Sequence, residues 1–126
     1  MLSILFVEDD ATIAAVFVGM LQAAGHHARH VENALAALSE LACASHDVVL
    51  IDLDLPGIDG LALARMIRTR EGADVHMRLV GISARSRGDE EALCLAAGMD
   101  AFLRKPVTAA IIEASIAGDA CAPVPA

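Results

Sequence analysis

VVLIDLDLPGIDG, residues Val48 to Gly60, is the stretch whose reading decides the fold. Four consecutive apolar β-formers, Val48 to Ile51, deliver an aspartate, Asp52, to the end of a strand that reads as fully buried. A Pro56-Gly57 turn follows at once, and a helix opens at about Gly60. A carboxylate at the carboxyl end of a buried parallel strand is costly unless something offsets its desolvation. In open α/β sheets that position is also where ligands bind. Asp52 is therefore the first candidate for a reactive group.

Outward from this stretch the chain repeats one unit. Short apolar runs alternate with Ala/Leu-rich stretches of helical period, which predicts β-α repeats around a parallel sheet. Ser3 to Val7 reads as the first strand. Asp10 to Ala24 reads as a helix with Ile13, Phe17, Met20, Leu21 and Ala24 on one face, stopped by Gly25. Ala28 to Val31 is a weaker, edge-side second strand, and Asn33 caps a helix to about Cys43. The third strand is Val48 to Asp52, and a helix from about Gly60 to Arg70 follows its loop. A polar turn, Glu71 to His76, leads to a fourth strand, Arg78 to Ser83, and a helix ending near Ala97 at Gly98. Ala101 to Leu103 is a short fifth strand ended by Pro106, and Thr108 to Ala117 is a last, nearly all-apolar helix. Five such units in one composition regime predict a single domain over residues 1–118, with 119–126 a disordered tail or linker.

Size and charge agree. A chain of 126 residues suits one domain. Its apolar share is 56%, yet no uninterrupted apolar run reaches the roughly 20 residues a membrane span needs, so no direct membrane contact is expected. Met1 stands almost on the first strand, leaving no room for a signal peptide. A net charge of −8 with no basic stripe argues against nucleic acid. Cys43, Cys94 and Cys121 lack metal or redox spacing; Cys43 and Cys94 read as small helix-packing hydrophobes, and a reducing cytoplasm is the simplest home. His26, His27 and His30 cluster near the edge strand without metal-ligand spacing.

Four strand ends carry chemistry: Glu8-Asp9-Asp10, Asp52, Ser83 and Lys105-Pro106. In a parallel sheet these ends share one edge. If strands one and three are neighbours, Glu8, Asp9 and Asp52 lie close and repel one another. Hard carboxylate oxygens at an open, wet site suit Mg²⁺. Lys105 adds a second positive charge and Ser83 a hydroxyl. These parts fit phosphoryl transfer to Asp52: the carboxylate is the nucleophile, and the cations neutralise charge on the phosphoryl oxygens.

FVEDD, LIDLDLPGIDG, GISAR and AGMDAFLRKP, in this order and spacing, resemble the receiver domain of two-component response regulators over about residues 2 to 117. The resemblance implies a flavodoxin-like (βα)5 fold with strand order 2-1-3-4-5 and a site at the switch between strands one and three. It implies Asp52 as phosphoacceptor, Asp9 as direct metal carboxylate, and Glu8 as the acid holding a metal-bound water. The backbone carbonyl of Asp54 would complete the Mg²⁺ shell. Ser83 and Phe102 would form the switch, with Lys105 the ammonium partner and Pro106 the proline after it, often in a cis bond. It implies no turnover enzyme but a phosphoacceptor that assists its own loading and unloading. Its partner would be a histidine kinase or a histidine phosphotransfer domain. The face changing on activation would be the helix after strand four, strand five and the last helix.

Two positions depart from the commonest pattern: Asp54 stands where an uncharged or amide side chain is more usual, and Arg85 lies two residues past Ser83. Both are expected at the mouth of the site, pairing across it. The first helix turns a small, uncharged face outward, including Ala11, Ala15 and Val18. With Pro106, that face suits docking of the partner. The short, apolar last helix points to no particular dimer mode, and a weak homodimer stays open.

Other readings compete. The Asp52-Leu53-Asp54 pattern also occurs after a strand in aspartate-based phosphatases of the haloacid dehalogenase type, although Pro56 stands where they want Thr or Val. A flavodoxin-like flavin carrier needs aromatics, and this chain has neither Trp nor Tyr. A pseudo-receiver that docks without phosphate is a third. With no DNA-binding helix or catalytic domain following, a free-standing relay protein or the receiver end of a hybrid kinase is expected. AGMDAF leans toward the latter. Asp10 and Asp59 read as helix caps, and Asp52 as a turn cap or Phe102 as core filler remain the plainer alternatives.

Overall fold

The computed structural model describes residues 2–55, 57–71, 77–84, 88–105 and 108–116. Five strands and five helices alternate along the chain. They are β1 (Ser3–Val7), α1 (Ala11–Ala23), β2 (His27–Val31), α2 (Ala34–Cys43), β3 (Val48–Asp52), α3 (Gly60–Arg70), β4 (Arg78–Ser83), α4 (Glu90–Ala96), β5 (Ala101–Arg104) and α5 (Ala109–Ile116). All strand pairs are parallel, in the order β2-β1-β3-β4-β5. The expected fold class and strand order hold, and β2 lies on an edge.

Local chemistry sets the boundaries. Asp10 caps α1, its Oδ1 accepting from Thr12 N at 2.9 Å and Ile13 N at 3.1 Å. Asn33 caps α2 through Ala36 N (2.8 Å), and Asp59 caps α3 through Ala62 N (2.8 Å). The predicted ends differ from the observed ones by a residue or so: β2 starts at His27 and β5 runs to Arg104.

A sheet buried on both faces needs a core on each. On one side α1 and α5 pack Phe17, Leu21 and Ile112 against Ile4, Phe6, Leu50, Val80, Ile82 and Leu103. On the other, α2, α3 and α4 pack Leu38, Leu63, Ile67 and Cys94 against Leu5, Val49, Ile51, Leu79 and Phe102. Every residue of β3 is buried, as its unbroken apolar run demands.

Two sequence expectations need correction. Ala24, placed on the core side of α1, is exposed, and Ala14 is buried in its stead. Cys43, read as a packing hydrophobe, is exposed at the end of α2, whereas Cys94 is buried as expected. Burial pushes the Cys94 thiol up to about 12, with the nearby Glu90 and Glu91 charges adding to it, so it is chemically inert.

The close fit at the site depends on Gly60. A Cβ there would sit 2.7 Å from the Asp52 carbonyl oxygen, 2.9 Å from Ile51 Cγ2 and 2.9 Å from Leu53 Cα. Two of those neighbours are backbone. The first turn of α3 therefore abuts the end of β3 only because residue 60 has no side chain.

Candidate functional site

Adjacency of β1 and β3 brings the acids together. One carboxylate oxygen from each of Glu8, Asp9 and Asp52 lies within 4.8 Å of the other two. Glu8 and Asp52 are 1% and 3% exposed, while Asp9 reaches solvent. Lys105 enters from the end of β5, where its N–H donates to Ser83 O at 2.9 Å. Its Nζ lies 3.1 Å from Glu8 Oε1 and 3.5 Å from Asp52 Oδ2.

One ammonium does not balance three carboxylates. Burial, reinforced by the hydrogen bond with Asp52, pushes the Glu8 carboxyl up to about 8, and Lys105 only partly opposes this. Burial by itself would lower the Lys105 ammonium. Its hydrogen bond to Glu8 and the Asp52 charge outweigh burial and raise it above the ordinary lysine value. The cluster as it stands favours a proton on Glu8. A divalent cation would displace that proton, and hard oxygen donors on an open edge are the donor set such an ion takes.

Asp52 uses its two oxygens differently. Oδ1 accepts the Asp54 N–H at 2.9 Å, and Oδ2 faces Lys105. The turn-capping reading of Asp52 is thus correct as far as it goes, and leaves the second oxygen for chemistry. Ser83, buried at the end of β4, donates its hydroxyl to Asp54 Oδ2 at 3.4 Å. Sequence reasoning missed this contact. Asp54 was expected to face Arg85, which lies outside the described residues. The signal available was that β3 and β4 end side by side, with Asp52 opposite Ile82. A cavity of about 320 Å³ opens beside this pair, with Asp59, Asp89 and Glu90 also on its wall.

Phe102 is 1% exposed, with the Arg104 guanidinium 5.6 Å above its ring. Its inward position suits both the switch and the core-filler reading. On α1, Ala11, Thr12, Ala15, Gly19, Gln22 and Ala23 are all exposed; Val18 is half-buried. Pro106 lies outside the described residues.

Residues 4–117 match the response regulator receiver domain family. The chain belongs to the response-regulator receiver family. It is 34% identical over 116 residues to the sensory transduction protein RegX3 of Mycobacterium tuberculosis, covering 92% of this chain and 49% of that protein. It is 30% identical over 114 residues to the sensor histidine kinase RcsC of Salmonella typhimurium, covering 90% of this chain and 12% of that protein. The receiver thus spans half or less of these relatives. Among solved structures it is similar to the receiver domain of a sensor histidine kinase from Pseudomonas aeruginosa (TM-score 0.80, 30% identity, 90% of this chain, 92% of that one). That neighbour holds a magnesium ion in its active-site cleft. This receiver is a phosphoacceptor module of two-component signalling, and the phosphatase and flavin-carrier readings fall with that assignment. No helix among the described residues is long and apolar enough to cross a membrane.

Proposed function

We propose that Asp52 accepts a phosphoryl group from a phosphohistidine of a histidine kinase or histidine phosphotransfer domain, with Mg²⁺ held by Glu8, Asp9, Asp52 and the Asp54 carbonyl. The observation that carries this is a buried Asp52 grouped with two further carboxylates, with the Lys105 ammonium 3.5 Å from its Oδ2 and 3.1 Å from Glu8 Oε1. An Asp52 carboxylate oxygen attacks phosphorus, the P–N bond breaks, and the imidazole leaves with its electron pair, taking a proton from solvent. The bound cation would neutralise phosphoryl oxygens in the transition state. Lys105 does the same, and Ser83 supplies a hydroxyl donor. No general base is needed, because the attacking group carries no proton to lose. The chain assists this transfer rather than turning over a substrate.

Activation on this reading moves Ser83 toward the phosphoryl oxygens and away from Asp54. Phe102 then follows within the α4-β5-α5 face, a shift between two pre-existing packings. The exposed small-residue face of α1 would receive the partner, and a cytoplasmic setting follows from that partner. Ala15→Arg is expected to cut transfer from the phosphohistidine donor while sparing acetyl phosphate.

Intact mass after incubation with acetyl phosphate and Mg²⁺ tests the core of the proposal. Wild type should gain one phosphoryl mass, lost with EDTA and absent in Asp52→Ala. No adduct, together with no beryllofluoride binding, would leave the pseudo-receiver reading in its place.

A further inference from the structure

The acidic cluster is braced by a residue outside it. His30 stands on β2 opposite Phe6, half-buried, its ring 6.4 Å from the Phe6 ring. Its Nε2 lies 2.6 Å from the backbone carbonyl oxygen of Glu8. A carbonyl oxygen only accepts, so Nε2 carries a proton and the imidazole donates. The Glu8 N–H meanwhile donates to Val31 O at 3.1 Å, prolonging the β1-β2 ladder one residue past β1. The Glu8 carbonyl lies beyond the paired strand, and a β2 side chain takes it instead.

That carbonyl belongs to the same rigid plane as the Asp9 amide. Anchoring its oxygen fixes the plane from which the Asp9 Cα, and so its carboxylate, departs. The Glu8 side chain is held separately, by Lys105 Nζ at 3.1 Å and by the Asp10 N–H at 3.5 Å. Asp9 is exposed and has no such restraint on its own carboxylate among the described hydrogen bonds. We propose that His30 is a positioning residue: its hydrogen bond to Glu8 O aims the Asp9 carboxylate at the cation position shared with Glu8 and Asp52. The inference rests on the Mg²⁺-dependent reading above. The neighbouring His26 does something unrelated at the other end of the sheet, accepting from Leu2 N at 3.0 Å and meeting Glu113 Oε1 at 2.8 Å.

The test compares Mg²⁺ binding to the full chain in three forms: wild type, His30→Gln and His30→Met. Glutamine carries an amide N–H to about the Nε2 position, and methionine has similar length without a donor. Methionine is expected to weaken Mg²⁺ by about tenfold, the usual scale for losing a group that orients a metal ligand. Glutamine should stay near wild type. Acetyl phosphate labelling of His30→Met should need more Mg²⁺ yet reach the wild-type rate at saturation, a split that general destabilisation does not produce. Equal affinities in all three forms, or equal loss in Gln and Met, overturn the inference alone. A wild-type chain that takes up no Mg²⁺ overturns the parent reading. Should His30→Met not fold, NMR of the wild type decides: an Nε2 proton coupled to the Glu8 carbonyl carbon is expected, and its absence refutes the bond.

Discussion

The two ends of the sheet obey opposite electrostatic rules. At the amino-terminal end, charges are matched one against another. Arg68 is the clearest case: Nε donates to Gly98 O at 2.7 Å, while Nη1 meets Met77 O at 2.7 Å and both Glu71 oxygens at 2.9 and 3.0 Å. Its Nη2 reaches Asp100 Oδ2 at 2.8 Å, and that oxygen also accepts from Leu79 N at 2.9 Å. Glu40 likewise serves both Arg29 (2.8 Å) and His46 (2.9 Å), and its carboxyl is held below the usual range chiefly by the His46 hydrogen bond. At the carboxyl end Arg104 and Glu90 pair at 3.5 Å, but Glu8, Asp9 and Asp52 are gathered around the single ammonium of Lys105. The first end offsets each charge with a partner. The second gives up stability to keep a site ready for a cation and a phosphoryl group.

Breaking the matched end should have the largest effect. Arg68→Ala removes the cationic donor shared by Glu71, Asp100 and the Gly98 and Met77 carbonyls, so a loss of about 3 kcal/mol is expected by urea unfolding. Acetyl phosphate labelling per folded molecule should not change; if it fell in parallel, the two ends would not be separable.

Gly60→Ala strikes the other end through packing. The added Cβ meets backbone, so about 2 kcal/mol should be lost, and here labelling should slow as well because Asp52 shifts. Normal labelling in a destabilised Gly60→Ala chain would show that the β3-α3 junction does not hold Asp52 in place.

Glu8 sharpens the contrast through pH. Its folded-state pKa of about 8 lies above the ordinary 4.5, so the folded chain binds the proton more tightly than the unfolded one. The resulting stability is fully present below about pH 4.5 and is lost as pH rises through about 8. In EDTA, Tm should therefore fall across that window. Glu8→Gln should flatten the fall and gain about 1 kcal/mol at pH 8, the worth of less than one pKa unit. An unchanged slope in the variant would place the strain elsewhere.

The smallest effect belongs to Asp54. Asp54→Asn removes a negative charge from the mouth and weakens the acceptor of the Ser83 hydroxyl. Labelling from acetyl phosphate should rise about threefold, near 0.6 kcal/mol in barrier. An equal rate would mean that Asp54 does not repel small donors.

Much of this is legible in the amino-acid sequence. Caps and stops such as Asp10, Asn33, Asp59 and Gly98 are local signals, so helix ends could be read from them. The four-residue apolar run before Asp52 could belong only to a strand buried on both faces. Parallel topology then forced the acids and Lys105 onto one edge. Contacts set by side-chain direction were not legible. Nothing in the spacing of His30 and Glu8, or of Ser83 and Asp54, says that these atoms meet. Nor could an alanine-rich helix declare its buried face, which is why Ala14 and Ala24 exchanged places and Cys43 turned outward.

Strand order has a consequence for how the chain is made. β1 leaves the ribosome before the other four strands yet occupies an interior position, and it gains its inner neighbour only when β3 emerges some forty residues later. Lys105 follows the last strand. A nascent chain therefore assembles its three carboxylates before the ammonium that partly neutralises them, so its final edge strand completes the sheet and delivers that ammonium in one step.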